Sequence, residues 1–269
     1  MSHLEKRKRL TIKDIIKKKN KEKISMLTCY DYSTAKIINE TELDIALVGD
    51  SLGNVFCGYD STLPVRVEDI IYHTNAIARA IDRALIVADM PFLSFQVSPQ
   101  DALCNAGKIM KQCPAGAVKI EGGKEYTMTV EKLVNAGIPV MGHIGLRPQL
   151  VNQLGGYRVI GKTDESVREL IEDAISLEAA GVFAIVLELV PKAVAKKVSE
   201  SVRIPTIGIG AGNGCDGQVL VINDMLGMTD MELKHNRKYL NLFEDIKNAV
   251  NNYISDVKSG VFPDDKESF

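Results

Sequence analysis

ALVGD, at residues 46–50, is a short apolar run that ends on a carboxylate. LIVAD at residues 85–89 and IVLE at residues 185–188 repeat this pattern, and longer segments with helical periodicity lie between the runs. Runs of four or five apolar residues without alternation are typical of strands that are buried on both faces of a parallel sheet. The pattern therefore predicts a parallel α/β fold with polar side chains at the carboxyl ends of its strands.

Working outward from these runs, we predict eight strands in the 269 residues. The strands are Ser25–Cys29, Ile45–Val48, Ala84–Ala88, Ala117–Ile120, Pro139–Gly142, Phe183–Leu187, Pro205–Ile209 and Gln218–Ile222. Helical patterns alternate with them, and a further helix at residues 11–19 is expected to cover the barrel floor. Eight strands in a chain of this length favour a closed (β/α)8 TIM barrel with an N-terminal capping helix over an open doubly wound sheet. We expect residues 1–269 to form a single domain.

Composition excludes several classes of protein. The net charge is −2, so the chain lacks the excess of basic residues that is typical of proteins that bind nucleic acid. No apolar run approaches the roughly 20 residues of a membrane helix, so no membrane association is expected. The five cysteines are odd in number and contain no CxxC pair, which indicates reduced thiols in a cytoplasmic protein.

Polar residues end five consecutive strands, from the second to the sixth. They are Asp50 with Ser51, Asp89, Lys119 with Glu121, His143 and Glu188. Active sites of (β/α)8 barrels lie at this face and draw residues from several strands. Buried carboxylates are costly without a partner, so a ring of them predicts a bound cation. Hard oxygen ligands from Asp50, Asp89 and Glu121 suit magnesium better than zinc.

Each of these residues also has a structural interpretation. A single Asp or Ser after a strand is commonly a helix N-cap, and His143 alone is compatible with a core histidine. Capping or core packing can explain one such residue, but these roles explain polar residues at five consecutive strand ends poorly. Lys119 is the most informative of them, because a lone lysine inside a buried apolar run is rarely structural.

Two further segments stand out. GIGAG at residues 208–212 ends the seventh run, where barrels often bind phosphate through backbone amides, but a tight turn for close packing explains it equally well. Residues 148–161 interrupt the strand–helix pattern after the fifth strand. We expect them to form a loop that acts as a lid or an oligomer contact.

Several long motifs resemble those of the ketopantoate hydroxymethyltransferase family, in the same order along the chain. They are TCYDY (28–32), VGDSLG (48–53), YDSTLPV (59–65), ADMPF (88–92), KIEGG (119–123), GHIGLRPQ (142–149), GGYRVIGK (155–162), GIGAGNGCDGQVLV (208–221) and FPDDKESF (262–269). The resemblance covers nearly the whole chain. The chain departs from the family pattern at Leu189, at Met228–Tyr239 and at Glu267.

The resemblance implies a magnesium-dependent barrel of the phosphoenolpyruvate/pyruvate type. It implies transfer of a one-carbon unit from 5,10-methylenetetrahydrofolate to 3-methyl-2-oxobutanoate, which gives 2-dehydropantoate on the route to pantothenate. By resemblance, Asp50, Asp89 and Glu121 form the metal site and Glu188 is the general base. Asp50, Ser51, Asp89, Lys119 and His143 would surround the keto acid.

The resemblance also implies a homo-oligomer, a decamer in bacterial members of the family. Two alternatives stay open. One is another carbon–carbon bond enzyme on the same kind of barrel, with Cys57 as a catalytic group on a loop. The other is a metabolite-binding protein without catalytic activity.

Overall fold

The structure is a computed structural model that describes residues 8–229 and 234–269. Its eight strands are all parallel and close into one barrel in chain order. They are β1 Ile24–Thr28, β2 Ile45–Val48, β3 Leu85–Asp89, β4 Ala117–Glu121, β5 Val140–Gly145, β6 Ala184–Glu188, β7 Thr206–Ile209 and β8 Gly217–Leu220. The prediction of a (β/α)8 TIM barrel is confirmed, and the predicted strands differ from these only at their ends.

Helices connect most of the strands. They are α1 Ile12–Ile16, α2 Tyr32–Asn39, α3 Leu52–Val55, α4 Val67–Ala78, α5 Pro99–Gln112, α6 Thr127–Asn135, α7 Val151–Leu154, α8 Asp164–Ala180, α9 Lys192–Ser201, α10 Ile222–Met225 and α11 Leu242–Ser259. Two 3-10 turns, Lys124–Tyr126 and Pro148–Leu150, precede α6 and α7. The loop predicted after the fifth strand therefore contains a short helix as well as irregular segments.

Helix α1 closes the floor of the barrel, as predicted. Thr11 begins it, with its hydroxyl 2.7 Å from the Asp14 carboxylate. Ile15 is fully buried and packs in the same apolar cluster as Ile24 and Met26 of β1. The helix is shorter than predicted because turns follow Ile16 and lead the chain back toward β1.

The connection between β7 and β8 differs from the other six because residues 210–216 contain no helix. Gly212 has a φ of +75°, and a Cβ there would lie 2.6 Å from Cγ of Lys192 on α9. The loop therefore packs directly against α9. This contact supplies a packing reason for the last glycine of GIGAG, and phosphate binding there stays a prediction.

The chain forms two compact units. The first ends at Val221 and contains the barrel, and the second begins at Ile222 and contains α10 and α11. The prediction of one domain over residues 1–269 stays a prediction. Residues 230–233, inside the stretch Met228–Tyr239 that departs from the family pattern, lie outside the described residues.

All five cysteines are free thiols. Within residues 8–229 and 234–269, every helix is too short or too polar to span a bilayer.

Candidate active site

The parallel register brings the polar ends of β2 to β6 to one mouth of the barrel. Asp89 pairs with Lys119 of the next strand, and Glu121 pairs with His143. These four side chains are at most 4% exposed, and so is Asp50, which follows β2. Four neighbouring strand ends thus place a buried polar cluster where barrel enzymes have their active sites.

Lys119 is the cation of this cluster. Its Nζ lies 2.7 Å from Oδ1 of Asp89, 3.3 Å from Nδ1 of His143 and 4.0 Å from Oε1 of Glu121. The backbone N–H of Asp50 donates to Oδ2 of Asp89 at 3.0 Å. Three carboxylates therefore share one ammonium group, which leaves an excess of negative charge away from water.

The pKa values reflect this imbalance. Burial raises the pKa of Asp89 to about 7, against the opposing attraction of Lys119. Burial, followed by the charge of Asp50, raises the pKa of Glu121 well above its usual range. Burial alone would lower the pKa of Lys119, but the carboxylates of Asp89, Glu121 and Asp50 outweigh it and raise that pKa. Lys119 is therefore protonated, and the raised pKa values mean that Asp89 and Glu121 hold protons more readily than exposed carboxylates do.

His143 connects this cluster to Glu188 at the end of β6. Burial, followed by the charge of Lys119, lowers the pKa of His143 well below its usual value, so the ring is neutral near pH 7. An ammonium group can only donate, so Nδ1 accepts from Lys119 and the ring proton lies on Nε2. Nε2 is 3.3 Å from Oε2 of Glu188, whose side chain is 20% exposed. Nε2 of His143 is thus the nitrogen nearest to Glu188, although the two groups are not aligned as a hydrogen bond.

The capping interpretation of the residues after β2 is not supported. Ser51 precedes α3, but its hydroxyl makes no capping hydrogen bond. It lies 2.8 Å from the hydroxyl of Tyr30 instead. The carboxylate of Asp50 likewise does not cap α3. It accepts a hydrogen bond from the side-chain amide of Gln149 at 2.9 Å.

Sequence reasoning missed two residues of the mouth, Tyr30 and Gln149. Tyr30 lies two positions after β1, so extending the strand-end argument to the first strand finds it. Gln149 lies in the turn Pro148–Leu150, and nothing in the local pattern distinguishes it from a surface glutamine. Only the packing of that turn places its side chain, which is 3% exposed, among the carboxylates.

The loop after β5 is attached to the strand that bears Glu188. The N–H of Leu146 donates to the carbonyl of Glu188 at 2.8 Å, and the N–H of Ile160 donates to the carbonyl of Leu189 at 2.9 Å. Burial raises the pKa of Tyr157, and the charges of Glu188, Asp50 and Glu121 raise it further. Tyr157 is thus close enough to the mouth for these carboxylates to affect its pKa, and the role of the loop as a lid or an oligomer contact stays a prediction.

The donor set at the mouth fits a hard cation that keeps part of its water shell. Across the described part of the chain, no three Asp, Glu, His or Cys side chains form a group that would hold a metal ion unaided. Magnesium usually takes one or two carboxylates and completes its octahedron with water and substrate. The buried excess of carboxylate over ammonium supplies the charge that such a cation needs.

The family model for ketopantoate hydroxymethyltransferase matches residues 9–265 of this chain. Curated relatives carry the name 3-methyl-2-oxobutanoate hydroxymethyltransferase. One from Syntrophus aciditrophicus (strain SB) is 50% identical over 253 residues, which are 94% of this chain and 93% of the relative. Another from Saccharolobus islandicus (strain L.S.2.15 / Lassen #1) is 55% identical over 258 residues, 96% of either chain.

Solved structures share the fold at much lower identity. A phosphonopyruvate hydrolase in complex with oxalate and Mg²⁺ has a TM-score of 0.62 at 11% identity, covering 96% of this chain and 93% of that one. A 2,3-dimethylmalate lyase of the PEP mutase/isocitrate lyase superfamily has a TM-score of 0.60 at 14% identity, covering 97% and 92%. These neighbours show that the chain has the same (β/α)8 barrel fold.

Proposed function

The chain belongs to the ketopantoate hydroxymethyltransferase family, and from this premise we propose that it transfers a hydroxymethyl group from 5,10-methylenetetrahydrofolate to 3-methyl-2-oxobutanoate. The product would be 2-dehydropantoate. One observation carries the proposal. A buried cluster of three carboxylates and Lys119 lies beside the His143–Glu188 pair at the barrel mouth, in a chain that the family model matches almost throughout.

Asp50, Ser51, Asp89, Lys119 and His143 are the residues that we propose to surround the keto acid. The ammonium of Lys119 would attract the substrate's carboxylate or keto oxygen in a site where low exposure strengthens the attraction. The hydroxyl of Ser51, 2.8 Å from Tyr30, would donate or accept at the same edge.

Asp50, Asp89 and Glu121 are the residues that we propose to hold magnesium. Bound there, the cation would supply Lewis acidity that makes the C–H next to the keto group more acidic. The raised pKa of Asp89 and of Glu121 supports this assignment, because burial and the charge of Asp50 both disfavour the ionised carboxylates, and a bound cation would offset both effects.

Glu188 is the general base in this proposal. Nε2 of His143 lies 3.3 Å from its carboxylate and would orient it once the two groups align, and the partial exposure of Glu188 would let it meet the substrate. Removal of the C3 proton leaves an enolate, whose charge the ammonium of Lys119 would stabilise.

The enolate carbon would then attack the methylene carbon of the folate. One C–C bond and one C–O bond form as two C–N bonds break, with water supplying the hydroxyl. The protons from C3 and from water end on the two folate nitrogens. Holding both reactants at one mouth removes much of the entropic barrier.

Deuterium exchange at C3 of 3-methyl-2-oxobutanoate, followed by NMR, tests the proposal in two stages. The first stage compares exchange with magnesium and with a chelator. The second adds methylenetetrahydrofolate and measures 2-dehydropantoate. We expect magnesium-dependent exchange and then product. No exchange under any metal would overturn the proposal and leave the metabolite-binding interpretation in its place.

Another keto-acid enzyme on the same barrel is the second candidate, and it would use Cys57 as its catalytic group. Cys57 is exposed, but slight burial and the charge of Asp69 raise its pKa. A reactive thiol needs a lowered pKa. The environment of Cys57 therefore disfavours that alternative.

A further inference from the structure

Gln149 contacts two of the mouth carboxylates, Asp50 and Glu121, although the sequence pattern did not identify it. Its Nε2 donates to Oδ2 of Asp50 at 2.9 Å and to the carbonyl of Met90 at 3.0 Å. Its Oε1 accepts from Nε2 of Gln96 at 3.0 Å. A carbonyl can only accept, so the nitrogen end of the Gln149 amide must face Met90 and Asp50. The amide therefore has one orientation.

The backbone of Gln149 holds a second carboxylate. Its N–H donates to Oε2 of Glu121 at 3.1 Å. The 3-10 turn Pro148–Leu150 presents this N–H, with Leu150 donating to the carbonyl of Arg147 at 2.9 Å. One residue on the loop after β5 thus contacts carboxylates from two other places, Asp50 after β2 and Glu121 at the end of β4.

The donors of Gln149 are neutral, and this distinguishes them from Lys119. The ammonium of Lys119 cancels charge on Asp89, 2.7 Å away. A neutral amide or N–H fixes the direction of a carboxylate and leaves its charge intact. Asp50 and Glu121 are therefore both oriented, and no ammonium group competes with a divalent cation for the oxygens that Gln149 contacts.

We infer that Gln149 is a positioning residue that orients Asp50 and Glu121 for magnesium, with Gln96 fixing its amide; the inference rests on the proposed function. Groups that orient metal ligands typically contribute 10–100-fold to metal affinity. Gln149→Leu removes the side-chain donor but keeps the N–H to Glu121. We expect it to weaken magnesium binding by about 10–100-fold.

Isothermal titration of the full-length protein with Mg²⁺ tests this inference, with circular dichroism to establish that each variant is folded. Gln153→Leu, on the exposed surface of α7, is the matched control and should bind like the wild type. Wild-type affinity in folded Gln149→Leu would overturn the inference. A wild type that binds no magnesium would overturn the proposed metal site together with it, so the two failures are distinguishable.

Gln96→Leu provides a second variant if Gln149→Leu fails to fold. It leaves the Asp50–Gln149 pair in place and removes the donor that orients the amide, together with a longer contact of 3.4 Å from the backbone N–H of Phe95. We expect a smaller loss of magnesium affinity, several-fold, because the amide is then held by Met90 and Asp50 alone. An unchanged affinity in this variant would count against orientation as the mechanism.

Discussion

Lys119 sets the electrostatics of the barrel mouth at the scale of single residues. It is a buried ammonium within 4.0 Å of both Asp89 and Glu121, and it also contacts the ring of His143. The same ammonium group that pairs with the carboxylates also determines which nitrogen of His143 is protonated. Charge balance and the direction of a proton donor thus depend on one side chain.

Glu188→Gln is the sharpest test at this scale. Glutamine keeps the shape of the side chain and its distance to His143 but cannot take a proton at neutral pH. We expect keto-acid binding within a few-fold of wild type and a loss of C3 exchange of about 100-fold or more, typical for a general base. Exchange and binding are measured by NMR, with Glu165→Gln on the exposed face of α8 as the control. Weak binding with normal turnover would contradict the assignment.

Magnesium affinity should fall as the pH is lowered from 8 to 6. The pKa of Asp89 is raised by burial to about 7, so a proton occupies this site at pH 6 and is mostly absent at pH 8. Protons compete with the cation, so Asp89 alone should weaken binding by about tenfold over this range. Titration calorimetry at several pH values measures the change.

Asp173→Asn provides the control for this pH dependence, because the pKa of Asp173 is also raised by burial but it is not part of the mouth cluster. The variant should keep the same slope of affinity against pH. A flat profile in the wild type would mean that the mouth carboxylates do not meet the cation.

At the scale of elements, the contact between β5 and β6 positions Glu188. Gly145 ends β5 with a φ of +94°, and a Cβ there would lie 2.3 Å from the carbonyl oxygen of Glu188. The next residue after Glu188, Leu189, has a φ of +47°, which is unusual for a residue with a side chain. The ends of β5 and β6 therefore approach each other so closely that position 145, opposite the carbonyl of Glu188, has room only for glycine.

Gly145→Ala should move the end of β6 and reduce both stability and exchange. A positive φ costs an alanine about 1–2 kcal/mol, and the overlap with Glu188 adds about 1–3 kcal/mol. Gly137→Ala is the matched control, since it shares a positive φ of +86° but has open space around the new Cβ. Urea unfolding and C3 exchange measure both effects. Equal losses in the two variants would mean that the contact with Glu188 is unimportant.

At the scale of the whole barrel, stability and chemistry are separated between the two ends. The floor is apolar and closed by Ile15 of α1, and the polar cluster lies at the carboxyl ends of the strands. This division is general in (β/α)8 barrels, whose loops at one end vary while the other end supports the fold.

Ile15→Ala should therefore lower stability without changing the chemistry. Removing a fully buried isoleucine side chain costs about 2–5 kcal/mol. Ile16→Ala is the matched control, because Ile16 is the next residue of the same helix and is 36% exposed. Its substitution should lower the free energy of unfolding much less than Ile15→Ala does. Urea unfolding measures the difference, and C3 exchange in the folded variant should equal that of the wild type. A loss of exchange would show that the two ends are coupled.

The strands and the polar strand ends were predictable because both depend on local pattern. A buried parallel strand needs a short apolar run, and the alternation of strands and helices in a chain of this length leaves the closed barrel as the favoured arrangement. Asp50, Asp89, Lys119, Glu121, His143 and Glu188 were found from their places at the ends of such runs. Their roles as ligands and base stay predictions.

Contacts between distant parts of the chain were decided only by the tertiary structure. Gln149 bonds to Asp50 across 99 positions of sequence, and no periodicity in either segment signals that pair. The direction of the His143 proton likewise depends on Lys119, which lies on the neighbouring strand. The sequence by itself determined which strand ends are polar, because strand formation is local; folding decided which of those groups touch, because that depends on how the loops pack.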